Sequence, residues 1–382
     1  MHIDHIRIVP IVLPFALAFP HALSKGLAAH NVVVEISAAG GQVVGYGEGA
    51  PRDFVTGETQ ASVCDTIARW ASAPDFPWDV DAVDVIWRWV DGRADSRGHN
   101  AALCAVETAL LDARAKVDAA TLTSFFPQTA SQSVVTYGAA VPLGRPAMVT
   151  RVCRVIAGMG IQRVKLKWGR DRHQNQEGID AVKAILGPGS DIKVDVNGVW
   201  DRHSGLAHCR MIGRHGIKAV EQPLAPGDPD IGLLAEPFTS AGARLMADES
   251  VCTLAEAKQA CGPQGYDMVN IRLSKCGGLR RCWQIIENCR RQGTAFQIGC
   301  QLGESGILSA AGRTLSLLCG DAVYHDGSYD AFLLKENITQ NVSFGFGGKA
   351  GPLAGPGLGV HVDPRCLSRL SGPLPPLTIC RP

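Results

Sequence analysis

The sequence has little surplus of charge of either sign. Thirty-seven Lys and Arg residues stand against 36 Asp and Glu, a formal net charge of +1. That balance offers no electrostatic footprint for nucleic acid or an anionic membrane. No Gly-x-Gly-x-x-Gly run follows a strand and opens a helix, so a nucleotide-binding reading has no motif to rest on. The 13 cysteines include no Cys-x-x-Cys pair and no zinc spacing. Scattered thiols in odd number read as reduced core cysteines in a cytoplasm. No apolar run is long enough to span a bilayer. The apolar stretch 8–20 resembles a signal-peptide core in composition only. Pro10, Pro14 and Pro20 break any helix there, and Asp4 precedes it where a basic segment would be needed. The chain reads as soluble, with no membrane partner.

What remains is an ordinary globular composition, 46% hydrophobic and 19% charged over 382 residues, enough for one large domain and a smaller one. Residues 1–130 read as a separate α+β unit. Its strands are 5–13, the β-branched run 31–37 and, after a Gly40-Gly41 turn, 43–47. A long loop, 14–30, joins the first two strands. Thr56-Gly57-Glu58-Thr59 marks a helix entry, and Asn100 is placed to cap the small, apolar run 101–114.

From about 131 to 335 the pattern alternates between short apolar strands and amphipathic stretches. Polar residues recur at the strand ends in steps of 24 to 30: Tyr137, Lys167, Asp195, Glu221, Asp248, Arg272, Gln297 and His325. Eight such units predict a (β/α)₈ barrel with its active site at the C-terminal ends of the strands. Residues 336–382 form a Gly/Pro-rich tail expected to return to the N-terminal unit.

Lys165 and Lys167 lie two residues apart on the second strand, so their ammonium groups face one way, about 6.6 Å apart along the strand. Val164, Leu166 and Trp168 take the other face. Mutual repulsion and partial desolvation are expected to lower a lysine here toward the range of a working base. Asp195, Glu221 and Asp248 come from three successive strands, so their carboxylates converge. Three unpaired acids would repel, and a hard divalent cation relieves that: Mg²⁺ first, Mn²⁺ as a substitute. The competing structural reading pairs each acid with a nearby basic residue such as Lys193 or Lys218. A metal beside a tuned lysine suggests removal of the α-proton of a carboxylate substrate, with the metal stabilising the resulting enediolate.

These motifs resemble the muconate-lactonizing branch of the enolase superfamily, within the mandelate racemase/muconate lactonizing enzyme family, over nearly the full length. The resemblance rests on Lys-x-Lys at Lys165, Asp-x-Asn at Asp195, Glu-Gln-Pro at Glu221 and Ala-Asp-Glu-Ser at Asp248, in that order. It implies a capping α+β domain completed by the tail and a barrel catalytic domain. It implies Lys167 as base, Lys165 holding the substrate carboxylate and the three acids holding Mg²⁺. Loops 14–30 and 49–58 would then close over the mouth and set specificity. Asn197, Lys275, Gln297, Glu304, His325 and Asp326 are the further candidates for substrate contact, and a homo-oligomer is expected.

One departure matters. The branch usually carries a second active-site lysine five residues before a Gly-Gly pair on the sixth strand, and here that position is Arg272. A guanidinium is a poor base and a good electrostatic clamp. One-base chemistry follows as the first expectation: a cycloisomerase or lyase acting on a small carboxylate. An epimerase or racemase of an amino-acid derivative is the alternative, with Lys275 or water doing the work of the missing lysine. A catalytically degraded barrel kept for binding is the third reading.

Overall fold

The computed structural model describes residues 1–16 and 27–382. Most of the loop expected over 14–30 therefore lies outside the described residues.

The N-terminal unit is an antiparallel sheet of Ile3–Pro14, Ala28–Ala38 and Val43–Gly49. Leu377–Cys380, near the end of the chain, pairs antiparallel with the outer side of the first strand. Helix Asn100–Val117 lies against the third strand. Gly45, Gly47 and Gly49 present no side chain to it, and the reason is spacing. Two strand residues advance about 6.6 Å and four helical residues about 6 Å, so Gly45, Gly47 and Gly49 meet Ala109, Ala105 and Ala101 in turn. A methyl group on Gly47 would stand 2.0 Å from the Ala105 carbonyl oxygen. The strand is short of side chains because the helix backbone fills their place.

Asn100 does not cap this helix. Its amide instead donates to the Cys252 and Lys275 carbonyls of the barrel, at 2.8 and 2.6 Å. The orphan N–H groups of Ala101 and Ala102 go to the carboxylate of Glu58. Thr59 does cap the next helix back, Gln60–Ala71, as its Thr-Gly-Glu-Thr context suggests.

The second unit contains eight parallel strands in sequence order: Ala139–Val141, Arg163–Lys167, Asp191–Asp195, Ala219–Glu221, Arg244–Ala247, Met268–Arg272, Ala295–Gly299 and Tyr324–His325. A hydrogen bond from Gly138 N to His325 O, 2.9 Å, joins the two edges. The arrangement is a TIM-type barrel with helices between the strands. Its first strand starts later than the step from Tyr137 suggests. Val135–Thr136 pairs antiparallel with Lys349–Ala350 of the tail instead. No described helix is long and apolar enough to cross a membrane.

Candidate active site

The second barrel strand shows why its sequence alternates. Val164, Leu166 and Trp168 are buried against the surrounding helices, with the Trp168 ring packed on Trp200 and His208. Lys165 and Lys167 point inward. Lys167 Nζ lies 2.6 Å from Asp195 Oδ2 and 2.7 Å from Asn197 Oδ1. Lys165 Nζ reaches Asp326 Oδ2 at 3.1 Å, Glu221 Oε2 at 3.4 Å and Asp195 Oδ2 at 3.9 Å.

That ring of acids corrects the expectation for Lys165. Burial does pull its pKa down, but Glu221, Asp326 and Asp195 outweigh burial and hold it above its ordinary value. Like-charge repulsion between the two lysines is the smaller effect here, because the carboxylates of Asp326, Glu221 and Asp195 all lie within 4 Å of the Lys165 ammonium. The same attraction works in reverse on Asp195. Burial raises its pKa, Lys167 and Lys165 lower it, and the net result is about 2.

Asp195, Glu221 and Asp248 are fully buried, and they offer carboxylate oxygens that all lie within 4.8 Å of one another. Each sits at or just past the end of its strand. Neighbouring amides hold them there. Asn270 donates to Glu221 Oε1 at 2.7 Å, and the Asn197 backbone donates to Asp195 Oδ1 at 3.0 Å. Gln222, in the left-handed region at φ 39°, staples two strand ends together. Its Oε1 accepts from the Asp248 and Ser250 backbones, and its amide donates to Leu224 O and Ser250 Oγ. This is a physical reason for glutamine in the Glu-Gln-Pro run.

Glu221 Oε2 is buried and accepts no hydrogen bond among the described residues. An oxygen-only set of three carboxylates, one of whose buried oxygens accepts no hydrogen bond and meets the Lys165 ammonium only as an ion pair at 3.4 Å, fits a hard cation of the Mg²⁺ type. Glu249, next in sequence to Asp248, adds a fourth buried acid. Asn197 holds its Oε1 at 3.1 Å, and its other oxygen has no partner. Burial, then Asp195, raises its pKa. Sequence reading passed over Glu249, and its only signal was a second acid within the Ala-Asp-Glu-Ser run.

On the far side, Arg272 ends the sixth strand. Its guanidinium contacts Asp248, lies 3.7 Å from Glu221 Oε1 and donates to Gln301 Oε1 at 2.9 Å. Lys275 lies apart from it. Its Nζ is fully buried behind Asp248, bonded to Asp248 O (2.6 Å), Asn270 O (2.7 Å) and Asp248 Oδ1 (3.1 Å). Its ammonium thus faces Asp248 and the Asn270 carbonyl and does not line the cavity above the mouth.

The remaining candidates divide. Asp326 faces inward and binds Lys165 and Lys193, the latter at 2.9 Å. Burial raises its pKa, but the two lysines outweigh that and hold it well below the usual range. Gln297 is mid-strand and bonds Lys193 below the mouth, so it does not reach the opening. Lys193 thus pairs with Asp326, not with any of the three converging acids. His325 turns outward to Gln132, as pleat alternation between Tyr324 and Asp326 requires. Burial lowers its pKa to about 4, which leaves it neutral. Glu304 accepts from the Gln301 backbone at 2.6 Å, and burial chiefly pushes its pKa up to about 8.

A cavity of about 350 Å³ opens above this mouth. Glu249, Arg272 and Gln301 line it from the barrel, and Phe15, Arg52 and Phe54 from the N-terminal unit. Both loops singled out in the sequence reach it through these described residues.

A family model described as "Enolase C-terminal domain-like" matches residues 147–366. The hydrophobic dipeptide epimerase of Enterococcus faecalis is 25% identical over 317 residues, covering 81% of this chain and 86% of that protein. The N-succinyl-L-Arg/Lys racemase of Bacillus cereus is 26% identical over 82% of this chain and 83% of its own. Its crystal structure superposes with a TM-score of 0.88 at 23% identity, over 99% of this chain and all of that one. The muconate lactonizing enzyme of Pseudomonas putida shares the fold, with a TM-score of 0.83 at 22% identity over 97% of this chain and all of that one. These sequence relatives are mostly epimerases and racemases, with an o-succinylbenzoate synthase of Thermobifida fusca at 27% identity over 50% of this chain and 59% of its own, so the likeness does not single out the muconate-lactonizing branch.

Proposed function

We propose, for a chain that belongs to the Enolase C-terminal domain-like family, that it removes the α-proton of an amino-acid derivative at the carboxylate end, with Lys167 as the base. One observation carries this reading. Lys167 Nζ stands 2.6 Å from Asp195, at the rim of the three converging carboxylates, where a substrate carboxylate held by the same acids' cation would present its α-carbon. Asp195, Glu221 and Asp248 would hold Mg²⁺, which when bound offsets negative charge growing on the substrate carboxylate as the proton leaves. Lys165 positions the carboxylate with its ammonium, itself fixed by Asp326. Asn197 orients Lys167 by accepting from its Nζ. Phe15 and Phe54 of the N-terminal unit line the cavity above the mouth and would shield a bound substrate from water.

The first reading of the outcome is epimerisation or racemisation of a dipeptide or N-acylated amino acid, because relatives over four-fifths of the chain have those activities. The returning proton would arrive from the Arg272 side. A second reading, one-face elimination or cycloisomerisation, is favoured by Arg272 itself, since guanidinium gives up a proton only far above working pH. Proton NMR in D₂O with Mg²⁺ separates them, using N-succinyl amino acids and hydrophobic dipeptides of each configuration. Deuterium at the α-carbon with inversion supports epimerisation. Deuterium in one configuration without inversion supports the one-face reading. No α-exchange in any of these carboxylates would remove the proposal.

A further inference from the structure

Two cysteines distant from the mouth stand sulfur to sulfur. Cys261 ends the short helix Leu254–Ala260, which follows the fifth barrel strand. Cys289 lies on helix Leu279–Gln292, which follows the sixth. The two helices pack together, and the Sγ atoms are 3.9 Å apart. Cys289 is fully buried, whereas Cys261 is partly exposed. This asymmetry gives an oxidant one sulfur to reach and places a second sulfur directly behind it.

The surroundings of Cys261 also favour its thiolate. The hydrogen bond shared with Cys289 is the main cause, Thr294 and Asn288 add to it, burial opposes, and the pKa is lowered. A thiolate, not a thiol, attacks peroxide. The remaining thiol of Cys289 is held near its partner with a raised pKa, protonated and unreactive until a sulfenic acid forms beside it.

We propose that Cys261 and Cys289 form a reversible peroxide-sensitive dithiol site that joins the helices behind the fifth and sixth strands. The Cys261 thiolate attacks one peroxide oxygen, giving a sulfenic acid and hydroxide. Cys289 sulfur then attacks the sulfenic sulfur, and its proton leaves with the displaced hydroxyl as water. Two thiols lose two electrons in total, and one hydrogen peroxide becomes two waters. The two helices begin just past the segments that carry Asp248 and Arg272, so the cross-link braces the side of the barrel that holds those residues.

The test uses the whole native chain and hydrogen peroxide as the probe. After graded exposure, remaining thiols are alkylated and the digest is analysed by mass spectrometry. The expected result is a linked peptide pair containing Cys261 and Cys289, two hydrogens lighter than the reduced pair. Two of the 13 thiols should be lost and then regained with dithiothreitol. In Cys289→Ala, Cys261 should instead be trapped as sulfenic acid by dimedone. The proposal is overturned if peroxide that oxidises the exposed Cys380 leaves Cys261 and Cys289 both open to alkylation. It is equally overturned if Cys261 passes to sulfinic acid in the parent with no linked pair. Both outcomes are read in the parent chain, so they do not depend on a variant folding.

Discussion

Replacing Lys275 by Met tests whether this buried lysine supports the site or works in it. Its ammonium is wholly excluded from water and makes three hydrogen bonds, two of them to Asp248 and one to the Asn270 carbonyl. Met keeps the apolar stem and removes the charge. Breaking a buried pair by removing one partner costs about 3–5 kcal/mol, because the other charge is left without compensation. Arg272 still contacts Asp248, so the lower end, about 3 kcal/mol, applies. Unfolding entropy of about 2.1 cal/mol/K per residue over 382 residues turns that into a fall in Tm of about 4 °C. Thermal unfolding in chelator reads this term alone. α-Proton exchange with Mg²⁺ present should be slowed through a displaced Asp248 yet keep the parent's stereochemical course. A variant that unfolds at the parent's temperature while losing exchange altogether would refute the argument, since Lys275 would then be moving protons.

Three other outcomes follow from the geometry. Arg272→Lys should keep more activity than Arg272→Met, because the first retains positive charge beside Glu221 and Asp248; kcat for both, with deuterium incorporation followed in each enantiomer, checks this. Glu304→Gln should flatten the dependence of stability on pH. Burial raises the folded pKa of Glu304 to about 8 from an ordinary 4.5, so its contribution is complete below the ordinary value and lost as pH rises through about 8. The parent's Tm should fall more than the variant's between about pH 6 and about pH 9. Gly47→Ala should lower the urea midpoint by the equivalent of about 1–3 kcal/mol or more, because its methyl group would meet the Ala105 carbonyl at 2.0 Å.

Much of the fold and the placement of the acids could be read in the sequence, for a reason visible in the strands. A parallel strand buried on both faces reads as a near-continuous apolar run, so a charged residue at its end stands out. Lys167, Asp195, Glu221 and Arg272 mark four strand ends for that reason, and their regular spacing reports one strand and one helix at a time. The first and last strands were harder to place. Tyr137 and His325 have polar neighbours at a similar spacing, but one precedes its strand and the other points outward. Neither fact has a signature in residue type. The direction of the Lys165 pKa shift is not legible in the sequence, because a pair of ammonium groups is visible locally, whereas Asp326 and Glu221 come from far along the chain. Capping was misassigned for a similar reason. Asn100 is a good local cap by type, but Glu58 arrives there only through tertiary packing, and Asn100 is drawn off to two carbonyls of the barrel. Lys193 was legible as a lysine near the acids but not as the partner of Asp326, because two non-adjacent strands must face each other across the barrel.

The central claim is that Lys167 removes the proton. Lys167→Ala, with an α-proton-bearing substrate that the parent exchanges, tests it most directly by proton NMR in D₂O, alongside calorimetric titration of Mg²⁺. The account predicts that exchange disappears while Mg²⁺ still binds, since Asp195, Glu221 and Asp248 remain in place. Exchange at the parent's rate in that variant would contradict it and move the base elsewhere in the mouth.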